Sequence, residues 1–375
     1  MSLTTPATEL KVQKWASDYF VEYIRDSGFS PYMGRGPNSV IRVNMKLTED
    51  EGESITIPFI RALPGGGVGT NALEGNEDET KNYGHKLIPV WRRKATAVKK
   101  SDAKKAAIDL YKANKETLKL WAMDDIRAQI LTAMAAVVNE TAAIDDGAGI
   151  GAQRVFYSGL PNSASAGQLN TFLTNNSFRV LFGTLKSNTV AGNFASSLSA
   201  VLVGMKFSTA IGSLAKREAK IRGSIASNRW PIRPIKVTGG REYYVCFLGS
   251  GAFRDLKIDT VMQAANRDAR ARDVDSNPIF QDGDMIYDGI IFREIPEIAS
   301  FTNALSVVLE PYYFCGAEAL GLGMGQELKP TKRSSTDYQF IEGVGTEELR
   351  NVEKMFFNGV MHGVYMGFVA AAADA

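Results

Sequence analysis

The chain has 375 residues, which is enough for roughly two domains with a sizeable buried core. Its apolar content of 45% and charged content of 22% are typical of globular proteins and exclude a wholly disordered chain. A net charge of +2 gives no overall argument for a protein that wraps nucleic acid or lies on a membrane surface.

Residues 9–26 predict an amphipathic helix whose apolar side chains fall roughly on one face, with Ser27-Gly28 as its stop. These side chains are Val12, Trp15, Tyr19 and Ile24. Residues 29–38 contain two prolines and two glycines and are predicted to be a connector. A helix tethered by such a connector is placed to pack on something other than its own core.

The next two segments predict a β-hairpin. Residues 41–47 alternate apolar and polar side chains, which is the pattern of a half-buried strand. Residues 55–59 alternate in the same way, and Pro58 restricts that strand to an edge or a bulge. The charged segment 48–53 between them is predicted to be the turn.

A glycine-rich stretch, residues 63–75, follows the hairpin, and residues 86–98 are predicted to return as a further strand. Hairpin and loop together contain few apolar positions, so they have little surface to bury in a core of their own. We therefore expect this region to project outward.

The longest helical signal extends from Ser101 to Glu140, with neither proline nor glycine before Gly147. Its apolar stripe, at spacings of three and four, consists of Met123, Ile126, Ile130, Met134 and Val137. Ser101 is a plausible N-cap. At ~1.5 Å per residue such a helix would approach ~60 Å, which suits a structural spine better than a globular enzyme.

The rest of the chain predicts a mixed α/β domain. Residues 195–223 predict a helix, residues 234–248 and 285–295 predict strands, and residues 310–325 form an apolar segment with four glycines. No repeat with a period of 20 to 50 residues recurs, which argues against solenoids and propellers.

The C-terminal segment 355–373 has no Asp, Glu, Lys or Arg and has a glycine at every fourth position (359, 363 and 367), as in close-packed membrane helices. Asn358 and His362 interrupt it, and its tyrosine, phenylalanine and valines suit a sheet. We interpret it as a strand that ends a soluble fold rather than a membrane span.

Little in the sequence indicates catalysis. The two histidines, His85 and His362, have no Ser, Cys or acidic partner nearby in sequence that suggests a triad, although distant residues could converge. Two cysteines, Cys246 and Cys315, are too few for a disulfide framework, have no zinc-site spacing and fit a reducing cytoplasm. Cys246 lies in an apolar run and is predicted to be a small buried hydrophobic residue. The first ten residues lack the pattern of a secretory signal, and none is expected.

Three further segments resemble ligand loops only superficially. Residues 65–69 lack the Gly-Lys-Ser/Thr ending that grips a phosphate, and the glycines of 321–325 lack G-x-G-x-x-G spacing. Residues 273–284 resemble a calcium loop, but Pro278 stands where glycine is needed, so an acidic surface turn is the better interpretation and a structural cation the alternative. We nominate no catalytic, cofactor-binding or metal-binding residue and expect no cofactor.

Several short patterns occur in order along the chain. They are Gly34-Arg35-Gly36-Pro37, residues 63–69 followed by Leu73-Glu74-Gly75, residues 234–237 before 240–245, residues 277–280 before 287–291 and Glu294, and residues 316–320. Each is short and rich in Gly and Pro, but together they cover most of the chain. In this order they resemble the major capsid proteins of tailed bacteriophages, specifically the N-four-like branch.

The resemblance implies an α+β, Hong Kong 97-type capsid fold. Residues 1–33 would be the N-terminal arm and residues 34–100 the extended loop with its flanking strands. Residues 101–149 would hold the spine helix of the peripheral domain, residues 150–335 the axial domain, and residues 336–375 the return to the peripheral domain. The tethered helix, projecting hairpin, long helix and α/β remainder were inferred independently of the family and agree with this order.

The resemblance also implies a function without catalysis: a major capsid protein that self-assembles into pentamers and hexamers of an icosahedral head around double-stranded DNA. Its partners would be copies of itself, portal, scaffolding and optionally decoration proteins, and DNA through non-specific contacts, with no membrane. It would be located in the virion capsid after assembly in the host cytoplasm. The alternatives are an encapsulin-like shell of a cellular compartment, which shares the fold, and a cytosolic phosphate-binding enzyme.

Some members of this family link subunits through a Lys–Asn bond, but lysines and asparagines are too numerous here to nominate a pair. The short arm before Gly34 argues against a large cleaved N-terminal domain.

Charge is distributed unevenly along the chain. Residues 49–80 carry eight acidic residues against one arginine, a net charge of −7, and residues 81–120 carry twelve basic residues against three acidic ones, a net charge of +9. Both segments can be ordinary solvated faces. Alternatively, the acidic loop of one subunit lies on the basic segment of a neighbour and sets their register, or the basic side faces packaged DNA.

Overall fold

The computed structural model describes residues 28–45, 54–63, 67, 69–70, 73–106, 109–139, 153–160, 162–223, 228–238, 241–268, 285–333 and 340–371. Its helices are α1 (Lys100–Lys105), α2 (Leu110–Ala135), α3 (Ala166–Asn176), α4 (Phe194–Ser199), α5 (Thr209–Lys220), α6 (Ser250–Ile258) and α7 (Thr260–Asp268). Its strands are β1 (Met33–Gly34), β2 (Ile41–Asn44), β3 (Ile55–Ile60), β4 (Asn82–Leu87), β5 (Val90–Lys99), β6 (Ala136–Asn139), β7 (Gln153–Val155), β8 (Val180–Phe182), β9 (Lys236–Thr238), β10 (Arg241–Leu248), β11 (Met285–Tyr287), β12 (Ile290–Glu294), β13 (Phe301–Thr302), β14 (Val308–Cys315), β15 (Leu320–Lys332), β16 (Ile341–Lys354), β17 (Phe356–Phe357), β18 (Val360–Met361) and β19 (Val364–Ala370). The predicted helix over residues 9–26, the turn 48–53 and the calcium-like loop 273–284 lie outside the described residues.

The larger sheet has the strand order β11-β12-β10-β14-β19-β8, with β9 beside β10 and β13 beside β14. Its central strands are apolar on both faces. In β10, Val245 and Phe247 pack into one core cluster, while Cys246 and Leu248 pack into the cluster on the other face. A strand buried on both faces appears in the sequence as a continuous apolar run rather than an alternation. Cys246 is buried, as predicted.

The C-terminal segment is a set of strands, as predicted. β19 lies between β14 and β8, antiparallel to β14 from Leu309↔Ala370 to Cys315↔Val364 and parallel to β8. Gly367 lies directly beneath the Tyr312 ring, so any side chain at this position would collide with the ring. Among the described helices, none has both the length and the apolar character needed to cross a bilayer.

The second sheet has the order β1-β2-β15-β16-β5 and combines strands from two distant parts of the chain. β5 runs antiparallel along β16 from Ile341↔Lys99 to Arg350↔Val90. Helix α2 packs across this sheet, with Asp125 facing Arg350 of β16. We refer to β5, β15 and β16 with α2 as the spine unit.

The predicted hairpin of residues 41–47 and 55–59 is wrong in its pairing. β2 runs parallel to β15 and to β1, whereas β3 pairs with β4 from Ile55↔Leu87 to Ile60↔Asn82. Parallel pairing with β15 places Ile41 in the main core, where it is fully buried. Alternation shows that one face of a strand is buried but does not identify its partner. Pro58 lies in a two-stranded pair, consistent with its predicted edge position.

The single helix predicted from Ser101 to Glu140 is also wrong in extent. α1 ends after Lys105, α2 begins at Leu110, and the chain turns into strand β6 at Ala136. Asp109, not Ser101, is the N-cap of the long helix, because its carboxylate accepts hydrogen bonds from the Tyr111 and Lys112 amides at 3.0 and 3.1 Å. The 26 residues of α2 span about 39 Å at ~1.5 Å per residue.

Three other segments are divided where one element was predicted. Residues 195–223 hold two helices, α4 and α5, separated by a loop. Residues 234–248 and 285–295 each hold an antiparallel pair, β9–β10 and β11–β12. Asp288 and Gly289 connect β11 to β12 with φ values of 51° and 71°, a left-handed conformation that suits this Asp-Gly pair. The predicted strand over 86–98 begins later, at Val90.

Asp109→Ala is expected to lower the free energy of unfolding by about 1 kcal/mol, because two amides of the first turn of α2 lose their acceptor. Chemical denaturation followed by circular dichroism measures this loss. Asp102→Ala is the matched control, since among the described residues the side chain of Asp102 accepts a hydrogen bond from the Ser101 hydroxyl and caps no amide. An equal loss in both variants would contradict the capping role.

Candidate functional site

Acidic and basic side chains meet inside the spine unit. The Asp125 carboxylate of α2 forms ion pairs with Arg92 of β5 and with Arg350 of β16, the latter at 2.5 Å. Arg350 is almost fully buried and also reaches Glu348 at 2.8 Å. Burial raises the pKa of Glu348 and lowers that of Arg350. These ion pairs connect the helix to both strands that it crosses.

A lysine is buried at the C-terminal end of the same helix. The Lys354 ammonium donates a hydrogen bond to the Ala136 carbonyl at 2.8 Å and otherwise faces the sulfur atoms of Met361 and Met366. No carboxylate forms a salt bridge with it in the part of the chain that the structure describes. Burial lowers the pKa of Lys354 to about 7.

The outer surface of the spine unit carries an open apolar groove of about 630 Å³ between α2 and β15. Met123 and Leu328 line it and are exposed, although the predicted stripe placed Met123 on the buried face of the helix. Further along that stripe, Ile130 and Met134 are buried as predicted. The helix therefore joins the main core cluster through its C-terminal half, while Leu118 is also buried nearer its N-terminus.

The extended loop packs against the rest of the protein at its root, by which we mean the β3–β4 pair. The ring of Phe59 on β3 lies 5.0 Å from Trp230 and 4.8 Å from His362, which anchors the β3–β4 pair against the body of the protein. Leu87 of β4 fills the space above Gly323, where a side chain would collide with it. Beyond Ile60, Arg61 is also buried, whereas the other described residues up to Thr80 are exposed. The outward projection of the distal loop stays a prediction.

Residues 73–80, at the end of the acidic segment 49–80, are exposed throughout; we refer to them as the acidic tip. Glu77 accepts a hydrogen bond from the Gly75 amide at 2.8 Å, and Glu79 pairs with Lys81 at 2.7 Å. The Lys81 ammonium lowers the pKa of Glu79. The tip thus presents several carboxylates to solvent.

The basic segment that follows does not form one continuous face. Arg92 is used inside the spine unit, Arg93 pairs loosely with Glu347 at 3.9 Å, and Lys94 lies over the Trp121 ring at 5.9 Å. Other lysines of this segment, on α1 and on the exposed side of α2, remain available to solvent.

The histidines and cysteines considered as candidates for catalysis or metal binding are enclosed by other parts of the fold. His85 lies 3.2 Å from Glu353 inside the protein, and the pKa of His362 is lowered to about 3, first by burial and then by Arg179 and Arg233. Burial raises the pKa of the Cys246 and Cys315 thiols. Within the described ranges, no group of three or more His, Cys, Asp or Glu residues could hold a metal ion. The glycines of 321–325 lie in β15 rather than in a loop.

Comparison with known proteins gives matches to phage capsid proteins. A family model described as phage capsid protein matches residues 4–366. A chain of the cyanophage Pam1 capsid asymmetric unit has 33% sequence identity to this chain, with 100% of both chains covered and a TM-score of 0.86. The capsid of Ralstonia phage GP4 has 18% identity, 100% coverage of both chains and a TM-score of 0.71. The head of Helicobacter pylori bacteriophage KHP40 has 14% identity, coverage of 97% and 96%, and a TM-score of 0.67. No curated protein matches the sequence.

The predicted α+β, Hong Kong 97-type fold and the predicted function as the major capsid protein of a phage head are confirmed by these matches. The encapsulin-like and enzymatic alternatives are not favoured. Since the family model spans nearly the whole chain and a phage capsid subunit shares a third of its residues over its full length, this chain belongs to the phage capsid protein family.

Proposed function

We propose that this capsid protein forms pentamers and hexamers that close into an icosahedral shell around double-stranded DNA, and that it catalyses nothing. The observation that carries the proposal is the full-length match to the Pam1 capsid subunit. The projecting loop and the exposed spine surface supply areas that a single copy leaves uncovered. In a shell, these areas would be buried against neighbouring copies.

The proposed domain division keeps the sequence-based boundaries: arm 1–33, extended loop 34–100, spine region 101–149, axial domain 150–335 and return 336–375. The two sheets support it, since the larger sheet is built mainly from the axial region 150–335, and the spine sheet mainly from strands of the loop and return regions, joined by β15 from the end of the axial region. We place the axial domains at the capsomer centre and the loops across neighbouring subunits.

The proposed partners beyond the shell itself are portal, scaffolding and optionally decoration proteins, together with packaged DNA in non-specific contact. Assembly in the host cytoplasm is proposed with them, in a compartment where two buried, unpaired thiols are stable. The family assignment supports these partners, and exposed lysines support a salt-dependent contact with phosphates.

Negative-stain electron microscopy of the purified full-length chain tests the assembly. We expect capsomer rings or closed shells, whose formation increases with protein concentration. A uniformly small monomer at high concentration would contradict the proposed function.

Reversing Glu77, Asp78 and Glu79 to lysine is expected to impair assembly at low salt, because the acidic tip loses its attraction for a basic surface on a neighbour. Sedimentation velocity gives the assembled fraction. The control carries the same change in net charge at three other exposed acids, Asp102, Glu327 and Glu342. Normal assembly of the tip variant would rule out a contact through the tip.

A further inference from the structure

A pocket of about 360 Å³ lies where the root of the extended loop meets the segment that precedes β9. Three arginines line it: Arg61 from the loop, Arg222 after α5, and Arg233. Trp230 and His362 form part of its wall. We refer to it as the arginine pocket.

Two of the three arginines, Arg222 and Arg233, carry charges that no described carboxylate neutralises. Arg222 donates to the Leu63 carbonyl at 3.4 Å and Arg233 donates to the Asn38 side-chain oxygen at 3.2 Å, so both have neutral partners. Neither forms a salt bridge with a carboxylate among the described residues. The one acidic residue that lines the pocket, Glu318, is already paired with Arg42.

One further cation, Arg179, lies near the pocket without lining it. Its guanidinium group lies 5.7 Å from the centre of the Trp230 ring, and that of the pocket-lining Arg61 lies 5.6 Å from the same ring. The pKa of Arg179 is lowered to about 9 by burial and by neighbouring Arg229. His362 is uncharged at neutral pH, so it neither adds to the positive charge of the pocket nor offsets it. Arg222 and Arg233 line the same small pocket, so a bound anion would reduce the repulsion between their charges.

The chain itself carries a suitable anion. The acidic tip exposes Glu74, Glu77 and Asp78, none of which forms an ion pair among the described residues. The adjacent carboxylates of Glu77 and Asp78 match in number the two exposed arginines of the pocket, each of which can bind a carboxylate in bidentate geometry. In the same copy, the tip lies in solvent and does not contact Arg222 or Arg233.

We propose that the arginine pocket of one subunit receives Glu77 and Asp78 from the acidic tip of a second copy. The inference rests on the proposed function and names the surface that the tip recognises. The acidic tip would therefore bind the arginine pocket rather than the basic segment 81–120, because the charges of that segment are partly used within the spine unit.

Donor and acceptor lie on different parts of the same chain, so the contact is head-to-tail. A heterologous contact of this kind generates a ring when the rotation between copies closes. The pocket and the tip would therefore act within a ring of subunits, each copy giving a tip to one neighbour and receiving a tip from the other.

A charge swap tests the inference in the full-length protein. Arg222→Glu with Arg233→Glu should reduce the assembled fraction in sedimentation velocity at low salt at least about fivefold, as should Glu77→Arg with Asp78→Arg. The chain that combines all four substitutions should recover assembly. Arg222 and Arg233 are exposed, so folding should persist, and unchanged circular dichroism of the variants checks this. Lys104→Glu with Lys105→Glu is the matched control on the basic segment and should assemble normally.

Recovery in the four-substitution chain supports the pocket, because only a direct contact is restored by exchanging the charges. The inference is overturned if the pocket variant assembles like the wild type, if the lysine control fails equally, or if no recovery occurs although all variants fold. It is also overturned if the pocket variant assembles normally but its shells retain less DNA, which would assign the pocket to phosphate. A wild-type chain that never assembles would refute the proposed function as well.

Discussion

Lys354→Met is expected to increase the free energy of unfolding by roughly 3 kcal/mol at pH 7. The native protein holds this lysine fully buried, with a carbonyl as its hydrogen-bond acceptor and two methionine sulfurs beside it. Bringing a free lysine of pKa 10.5 to a folded-state pKa of about 7 costs about 1.4 kcal/mol for each pH unit of the shift. Methionine fills similar space without this cost, at the loss of one hydrogen bond to Ala136.

The same substitution should change the pH dependence. A lysine whose pKa is lowered in the folded state binds more protons after unfolding, so the stability of the wild type rises as pH increases above about 7. Below pH 7 both states are protonated and the penalty is constant. Between pH 7.0 and 8.5 the wild type should gain about 1.5 kcal/mol that the variant does not gain.

Denaturant titrations of the unassembled subunit at several pH values measure both effects. The range stays below pH 9, since the buried cysteines have raised pKa values and act in the opposite direction above it. Lys104→Met, on an exposed helix, is the control and should leave the pH profile unchanged. A wild type whose stability does not vary from pH 7 to 8.5 would contradict the buried, deprotonating lysine.

Asp125→Asn should destabilise the subunit by about 3 kcal/mol, because the mostly buried side chains of Arg92 and Arg350 would lose the carboxylate that joins them. Arg350 would keep its ion pair with Glu348. Asp124→Asn is a close control one residue away. Asp124 is half exposed and pairs with Arg127, so its loss should lower stability by less than about 1 kcal/mol.

A second variant separates charge from packing. Replacing Arg92, Asp125 and Arg350 together by Met, Leu and Met should recover part of the stability that Asp125→Asn loses, because both arginine charges are removed and only Glu348, whose pKa burial raises, loses its partner. Chemical denaturation of each purified variant provides the comparison. Equal losses for the triple variant and Asp125→Asn would show that the side chains act through shape rather than through charge.

The sequence predicts those parts of the fold that depend on local patterns. The apolar run 243–248 and the C-terminal segment 364–370 both form central strands, and the region of α2 is helical. The pairing of residues 41–44 was not predictable from alternation, because the partner in β15 lies far along the chain and is set by burial of Ile41. The helix boundary at Asp109 was missed because Ser101 has an equally acceptable capping side chain.

The candidate surfaces were only partly predictable. The acidic tip is visible as a run of like charges in one short segment, so composition alone identifies it. The arginine pocket is not, since Arg61, Arg222 and Arg233 come from distant segments that only the folded chain brings together. The burial of Lys354 was not predictable from the sequence either, because a lysine after Val352-Glu353 at the end of a strand is usually exposed.

The order of strands in the two sheets also determines when the subunit can fold. The spine sheet joins residues 41–44 and 90–99 to residues 320–354, and in the larger sheet residues 364–370 lie between β14 and β8. The pairs β2–β15, β5–β16 and β8–β19 therefore close very long chain loops, which slows folding and leaves unpaired strand edges exposed meanwhile. During synthesis, β5 has no partner among the described strands until β16 has been made, and β8 has none until β19 has been made. We therefore expect neighbouring copies to recognise only finished chains, which would keep incomplete subunits out of the growing shell.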